Sequence, residues 1–535
     1  MSSKPNEEDI QLQHRDQKPD DIGAETIEAI DTEPDKRQPH GDKAAEFLEA
    51  NAPAHEHIVI TPEDNKRVLR KIDLALLPIL LCIYFLQSLD KTALSYAAVF
   101  GLIEDTNLVG DQYSWLGAIV YVAQLVWQPV VAYFLVKLPT GKFIATMVFC
   151  WGAVLCGMTA CENYGGLMAT RFLLGSFEAS VAPTFIAIVQ MWYRRSEQTN
   201  RNAAWYAQLG VVNILGSLLS YGLAHIASSA LRPYQIIFLF CGLLTVVFSV
   251  IVFIWLPDSP MKARFLTQEE KLIAIERLRM NQQGIASGTW RWDHVWECLT
   301  DLKTWIWFSL LTAVSIPSGG ITTFGPLIFG AVQIIATLGG AFAATHWKVK
   351  SPFLAALCVP PIIGLAILHS VSHDPSNRGV LLFAYYITSV YPAISPMIYS
   401  WSGQNTGGDT KRKVTTGVLF IGASAGNIVG PHLYTPEEAP RYYRGLRSNL
   451  ALFVVIILLV GVGVLYITYL NKKHAAARER MGKSAHIVDL SMAKGSRLAD
   501  KGALEGEDGK VGAGVGDKAF EDVTDLKNED FIYVL

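Results

Sequence analysis

Twelve apolar runs of about twenty residues constrain this 535-residue chain most, because a helix of that length crosses a hydrocarbon layer about 30 Å thick. They fall near 72–102, 113–136, 142–161, 165–191, 203–227, 234–256, 304–327, 329–347, 352–370, 379–401, 414–434 and 450–470. Lipid offers no water to backbone amides and carbonyls, so each run must satisfy its own hydrogen bonds as a helix. The polar stretch 257–303 divides the runs six and six. The expected fold class is therefore an all-α membrane protein with about 12 transmembrane helices in two six-helix halves, 62–256 and 304–470. Charged residues are 17% of the chain, where a soluble protein carries about a quarter.

Basic residues set the orientation, since short cytoplasmic loops accumulate Lys and Arg. Lys137, Lys142, Arg194, Arg195, Arg201, Lys348, Lys350, Lys411, Arg412 and Lys413 fall in alternate loops, together with the basic central loop. The opposite loops hold Arg232, Arg378, Arg441, Arg444 and Arg447. Both termini are thus expected in the cytoplasm. Residues 1–61 are acidic and poor in aromatics and are expected to be disordered, as is the 471–535 tail, glycine-rich and acidic from about Ala475. No basic segment followed by an apolar run precedes the first span, which is expected to serve as the insertion signal.

Local signals add detail. Thr61-Pro62-Glu63-Asp64 predicts a helix start ahead of a basic amphipathic lead-in to the first span. Thr267-Gln268-Glu269-Glu270 predicts a capping box in the central loop, and Trp292, Trp296 and Leu299 line one face of a short interfacial helix. The seven cysteines form no Cys-x-x-Cys pair and read as small apolar filler. No phosphate-binding loop, zinc motif or nucleophile elbow is present, so neither an enzyme nor a primary pump is expected, and no cofactor or metal. A net charge of −3 gives no case for nucleic acid.

Ionisable side chains inside a membrane cost roughly 2.5 to 3.5 kcal/mol or more and usually face a cavity. Asp90 and Lys91 lie past the middle of the first span, as cavity residues or as an anchor at the outer interface. Arg171 and Glu178, seven residues apart in the fourth span, share one helix face, as a functional pair or as a structural ion pair. Pro317-Ser318-Gly319-Gly320 breaks the seventh span, and Asn427 sits between Gly426 and Gly430 in the eleventh, either to bind ligand or to let helices approach closely. Tyr399 and Trp401 read as an interfacial aromatic belt rather than a ring-binding surface, and His225, His346 and His369 as interfacial.

Several motifs carry a resemblance. Leu89-Asp90-Lys91-Thr92-Ala93-Leu94-Ser95-Tyr96-Ala97, Leu138-Pro139-Thr140-Gly141-Lys142, Arg171-Phe172-Leu173-Leu174-Gly175-Ser176-Phe177-Glu178-Ala179, Leu256-Pro257-Asp258-Ser259-Pro260 and Gly426-Asn427-Ile428-Val429-Gly430-Pro431 occur in this order. In order and spacing the chain, from about residue 60 to 475, resembles the fungal allantoate permease-like subgroup of the anion:cation symporter family. That family lies within the major facilitator superfamily. Relatives of that kind carry some twenty more residues between spans seven and eight, where this chain has only Gly325-Pro326-Leu327-Ile328-Phe329-Gly330.

The resemblance implies a major facilitator fold that works by alternating access about a midplane site. It implies proton-coupling roles for Glu178 and Asp90, and substrate-binding roles for Arg171 and Lys91, with Asn427 a further substrate-binding candidate. Lys91 stands where bacterial relatives have arginine, and lysine lacks the two-pronged fork of a guanidinium. The expected function is proton-coupled uptake of a small organic anion, such as allantoate, ureidosuccinate, nicotinate or a related carboxylate, across a fungal plasma membrane. The expected partners are that anion, protons and the lipid bilayer. The alternatives are a metabolite exporter of the same fold, or a non-transporting nutrient sensor or incomplete gene product.

Overall fold

In the computed structural model, the described residues are 42–51, 60–226, 228, 231–319, 326–372, 374–433, 442–485, 487, 489–492 and 517–535, and every regular element among them is helical. Span one is Pro62–Val99, two Gln112–Lys137, three Thr140–Met158, four Tyr164–Glu178 with Val181–Trp192, five Arg195–Tyr206 with Gln208–Ala224, and six Pro233–Trp255. Span seven is Leu302–Ser315, eight Pro326–Trp347, nine Ser351–Ser370, ten Arg378–Thr388 with Ile394–Gln404, eleven Asp409–Val429 and twelve Tyr443–Arg480. Eleven of these are long and apolar enough to cross a membrane.

Span seven falls short because proline ends it. The predicted helix over 304–327 stops at Ser315, with a tight turn at Pro317–Gly319, since a proline lacks the amide to continue and disfavours helix in the residue before it. Span eight then starts at Pro326 rather than at 329, so Pro326–Gly330 is its first turn and not a loop. Residues 316–319 follow the end of span seven, and 320–325 lie outside the described residues.

The helix start at Thr61 is as expected: its hydroxyl accepts the Asp64 amide at 3.1 Å, with Pro62 in the first helical position. The lead-in is not a separate element, however. It runs without interruption into span one as one helix of 38 residues. The central loop holds the predicted capped helix, Gln268–Glu276, and the predicted interfacial one, Trp292–Thr300, whose two indoles are each 67% exposed.

Small residues bring the halves together. A Cβ on Gly210 of span five would lie 2.6 Å from the Gly330 carbonyl of span eight, so both positions must stay bare for these helices to touch. Beside them Asn213 donates to Gln333 at 2.9 Å. Span eleven packs along span two and closes the second seam between the halves.

Two expectations of disorder are corrected. Lys43–Asn51, within the 1–61 tail, is a helix, and span twelve continues past Ala475 to Arg480. Residues 517–535 are folded against the loop-bearing end of the bundle, with Phe531 and Tyr533 buried. Composition describes only a segment's own residues, whereas these segments are held by partners far off in the chain.

Candidate functional site

Span four breaks at Glu178, and a proline downstream is the cause. Pro183 has no amide to give the carbonyl four residues earlier, at Ala179. Gln128 of span two supplies that donor instead, at 3.1 Å, and Gln87 of span one donates to the Glu178 carbonyl at 3.2 Å. The first segment of span four therefore ends at Glu178, and a new helix begins at Val181.

The Glu178 side chain is 1% exposed, and neither carboxylate oxygen has a hydrogen-bond partner. Arg171 is 4% exposed, and its Nε donates to the Leu116 carbonyl of span two at 3.3 Å. The two share a face but stand about 10 Å apart along the axis, too far for contact through that helix alone. A closed structural ion pair is thus not what the structure holds. Lys91, which is exposed, and Arg171 are the cations that act electrostatically on Glu178, and Tyr121 lies within reach of both Glu178 and Arg171.

Asp90 and Lys91 separate, as neighbours about 100° apart around a helix must. Asp90 is fully buried and turned into the first half, where Oδ2 accepts the Trp151 indole of span three at 2.7 Å and the Thr245 hydroxyl of span six at 3.5 Å. Its Oδ1 is buried with no partner. The outer-interface reading of this pair fails for Asp90. The carboxyl remains within electrostatic reach of Glu178 and Arg171, so four of the five expected residues form one group.

Asn427 is not brought to that group by any described contact. Its amide folds back on the Ala423 carbonyl at 2.9 Å. The glycines around it serve packing: a Cβ on Gly426 would lie 2.6 Å from the Thr312 carbonyl of span seven.

An aromatic layer formed by both halves was read differently from sequence. Tyr84 of span one packs on Trp205 and Tyr206 of span five with ring centres 4.8 and 5.7 Å apart, Trp205 stacks on Tyr399 at 6.0 Å, and Tyr399 meets Phe420 at 5.3 Å. Trp401 is buried against Trp307. Neither Tyr399 nor Trp401 belongs to an interfacial belt, because hydropathy along a span does not say which face looks inward. Gln87, Gln128 and Trp151 were also missed, although Pro183 five residues after Glu178 was a usable signal.

Two six-helix halves meet along spans two and eleven and spans five and eight, with ionisable groups buried at mid-depth, and the sequence from 80 to 431 matches the Major Facilitator Superfamily. The chain belongs to that superfamily. Among superfamily relatives it is similar to the thiamine pathway transporter of Saccharomyces cerevisiae, 32% identical over 92% of this chain and 94% of that one. It is also similar to the allantoate permease of the same yeast, 26% identical over 97% and 95%. Of solved superfamily structures it resembles a proton:xylose symporter with a TM-score of 0.54 and 12% identity, over 74% of this chain and 96% of that one.

Proposed function

We propose that this superfamily transporter imports a small organic anion together with protons, at a plasma membrane, with the loop-bearing face and both termini in the cytoplasm. One observation carries the reading: the Glu178 carboxylate is buried without a hydrogen-bond donor while two cations, Lys91 and Arg171, act on it. A buried polar group without a partner costs about 1 to 3 kcal/mol, more when charged, so a proton on Glu178 relieves the site when no anion is present. An incoming carboxylate takes the place of that negative charge opposite the cations, and Lys91 meets it as a point charge.

Protons also meet the energetic demand. Carrying one negative charge inward against an inside-negative potential costs about 2.3 kcal/mol per 100 mV, and one proton per anion cancels it while a second reverses it. Allantoate, ureidosuccinate and nicotinate are the carboxylates to try first, the allantoate permease likeness supporting the first of them. The test is uptake of each labelled acid into vesicles with an imposed inward proton gradient. Accumulation that a protonophore abolishes is the expected result, and accumulation indifferent to the gradient overturns the coupling.

A further inference from the structure

The segment 517–535 is gripped by side chains that read its backbone. Asn471 of span twelve accepts the Tyr533 amide and donates to the Tyr533 carbonyl, both at 2.9 Å. Asn405, after span ten, does the same for Val534, accepting at 2.7 Å and donating at 2.9 Å, and the Trp401 indole donates to the same carbonyl at 2.9 Å. Paired amide contacts of this kind fix an extended peptide as a strand partner does. The carbonyls of Phe531 and Leu535 are met as well, by the His474 ring and the Lys350 amide.

Charge fastens it in the middle. Asp525, fully buried, lies 2.8 Å from Lys303 of span seven and 2.9 Å from Lys411 of span eleven, and the Tyr533 hydroxyl donates to it at 3.0 Å. Burial alone would raise this carboxyl, but the two ammonium groups overcome it and hold Asp525 well below the usual carboxylate range. Taking one member of such a buried cluster away strands the others, a costly change.

The segment also reaches the other half. Arg195, opening span five, donates to the Ile532 carbonyl at 2.9 Å and lays its guanidinium over the Phe531 ring at 4.3 Å. The same arginine exchanges hydrogen bonds with Gln404 of span ten, so the segment lies against a place where the halves meet directly. Near its start, the Ala519 carbonyl accepts the Gly284 amide of the central loop at 3.0 Å.

We infer that residues 517–535 form a strap that occupies a peptide-binding groove shared by both halves and holds the loop-bearing face shut. The groove's occupant is this segment of the same chain. Opening that face, as alternating access requires, parts Arg195 from Phe531 and Ile532, so the strap acts as an autoinhibitory element whose release speeds opening. The inference rests on alternating access, but not on which solute is carried or on proton coupling.

Ser400 of span ten reports on the seam, because it is 1% exposed and accepts the Asn202 amide of span five at 3.0 Å. A Ser400→Cys thiol reacts with a maleimide only when the halves part there, and mass spectrometry of the peptide carrying position 400 separates it from the native thiols. Deleting 517–535 is expected to speed that reaction about tenfold, within the usual range of coupling between two sites. An excess of synthetic peptide with the sequence 517–535 is expected to slow it again. A deletion variant that reacts at the parental rate overturns the strap, and one that the peptide fails to slow overturns the groove. If the deletion does not fold, Asp525→Asn decides by the same criterion. No substrate enters the assay, so its failure is distinct from a failure of proton coupling.

Discussion

Trp151 holds Asp90 at 2.7 Å, and in doing so turns the carboxyl away from the face on which Lys91, its neighbour in sequence, stands. The acid and the base of this pair therefore face different sides of span one. Trp151→Phe keeps a smaller aromatic ring and removes the indole N–H, so Asp90 loses its donor at 2.7 Å and keeps the more distant Thr245 hydroxyl at 3.5 Å. We expect a loss of about 1 to 3 kcal/mol in stability, read as a lower melting temperature in detergent. Combining Trp151→Phe with Asp90→Asn should lose less than the two single changes together, since an amide brings its own donors.

Glu178→Gln imitates a permanently protonated acid. Substrate counterflow is expected to survive in this variant while accumulation driven by a proton gradient disappears. Arg171→Ala should behave differently, with substrate binding about ten- to a hundredfold weaker and coupling of the remaining flux intact, as loss of a charge-assisted hydrogen bond predicts. A Glu178→Gln transporter that still concentrates substrate on a proton gradient moves the coupling role to Asp90.

The break in span four has a test that needs no substrate. Pro183→Ala restores the amide that the Ala179 carbonyl lacks, so the Gln128 side chain becomes redundant there. Gln128→Leu alone should therefore cost about 1 to 3 kcal/mol by leaving a buried carbonyl unmet. The same change on a Pro183→Ala background should cost clearly less, and equal costs on both backgrounds would show that Gln128 does not serve this carbonyl.

Acidity should tighten the strap. Burial first, then repulsion from Asp409 and Asp42, push Asp522 up to about 6, against the Asp409 amide and Arg291, which favour its charged form. Its Oδ1 accepts the Asp409 amide at 2.7 Å, while Oδ2 is buried without a partner. A carboxyl raised on docking binds its proton more tightly when docked. Its contribution to docking is full below the ordinary value and is lost as pH rises through about 6. The Ser400→Cys reaction should slow between pH 7 and pH 5 beyond the slowing seen in an Asp522→Asn control, which carries the same thiol chemistry without the titrating group.

Much of this was legible in sequence because it depends on local patterns. Eleven spans and the Thr61 and Thr267 caps follow from run length and capping residues; Asp90, Lys91, Arg171 and Glu178 stand out by the cost of charge in lipid, and their association in one site is what the resemblance implies. What escaped depends on distant partners. Nothing near Asp525 in sequence announces Lys303 or Lys411, and nothing near Tyr399 says that its ring meets Trp205 rather than lipid. Asn427 was ambiguous for another reason: a polar residue among glycines marks a close helix crossing as readily as a binding site, and here Thr312 lies against that crossing.

Span one, at 38 residues, is about 57 Å long, nearly twice the thickness of a hydrocarbon core. Lys71 meets Glu270 of the central loop at 2.7 Å, and Asp73 meets Arg201 of span five at 2.7 Å, so its projecting end is bolted down. About 30 Å of the helix lies within the hydrocarbon and about 27 Å outside it, so it is in effect a lever with two nearly equal arms. A tilt of about 10° in the first half swings the far end, roughly 27 Å from the hydrocarbon boundary, by about 5 Å. A small rotation of span one where it leaves the hydrocarbon thus becomes a displacement of the central loop as wide as a helix is in radius.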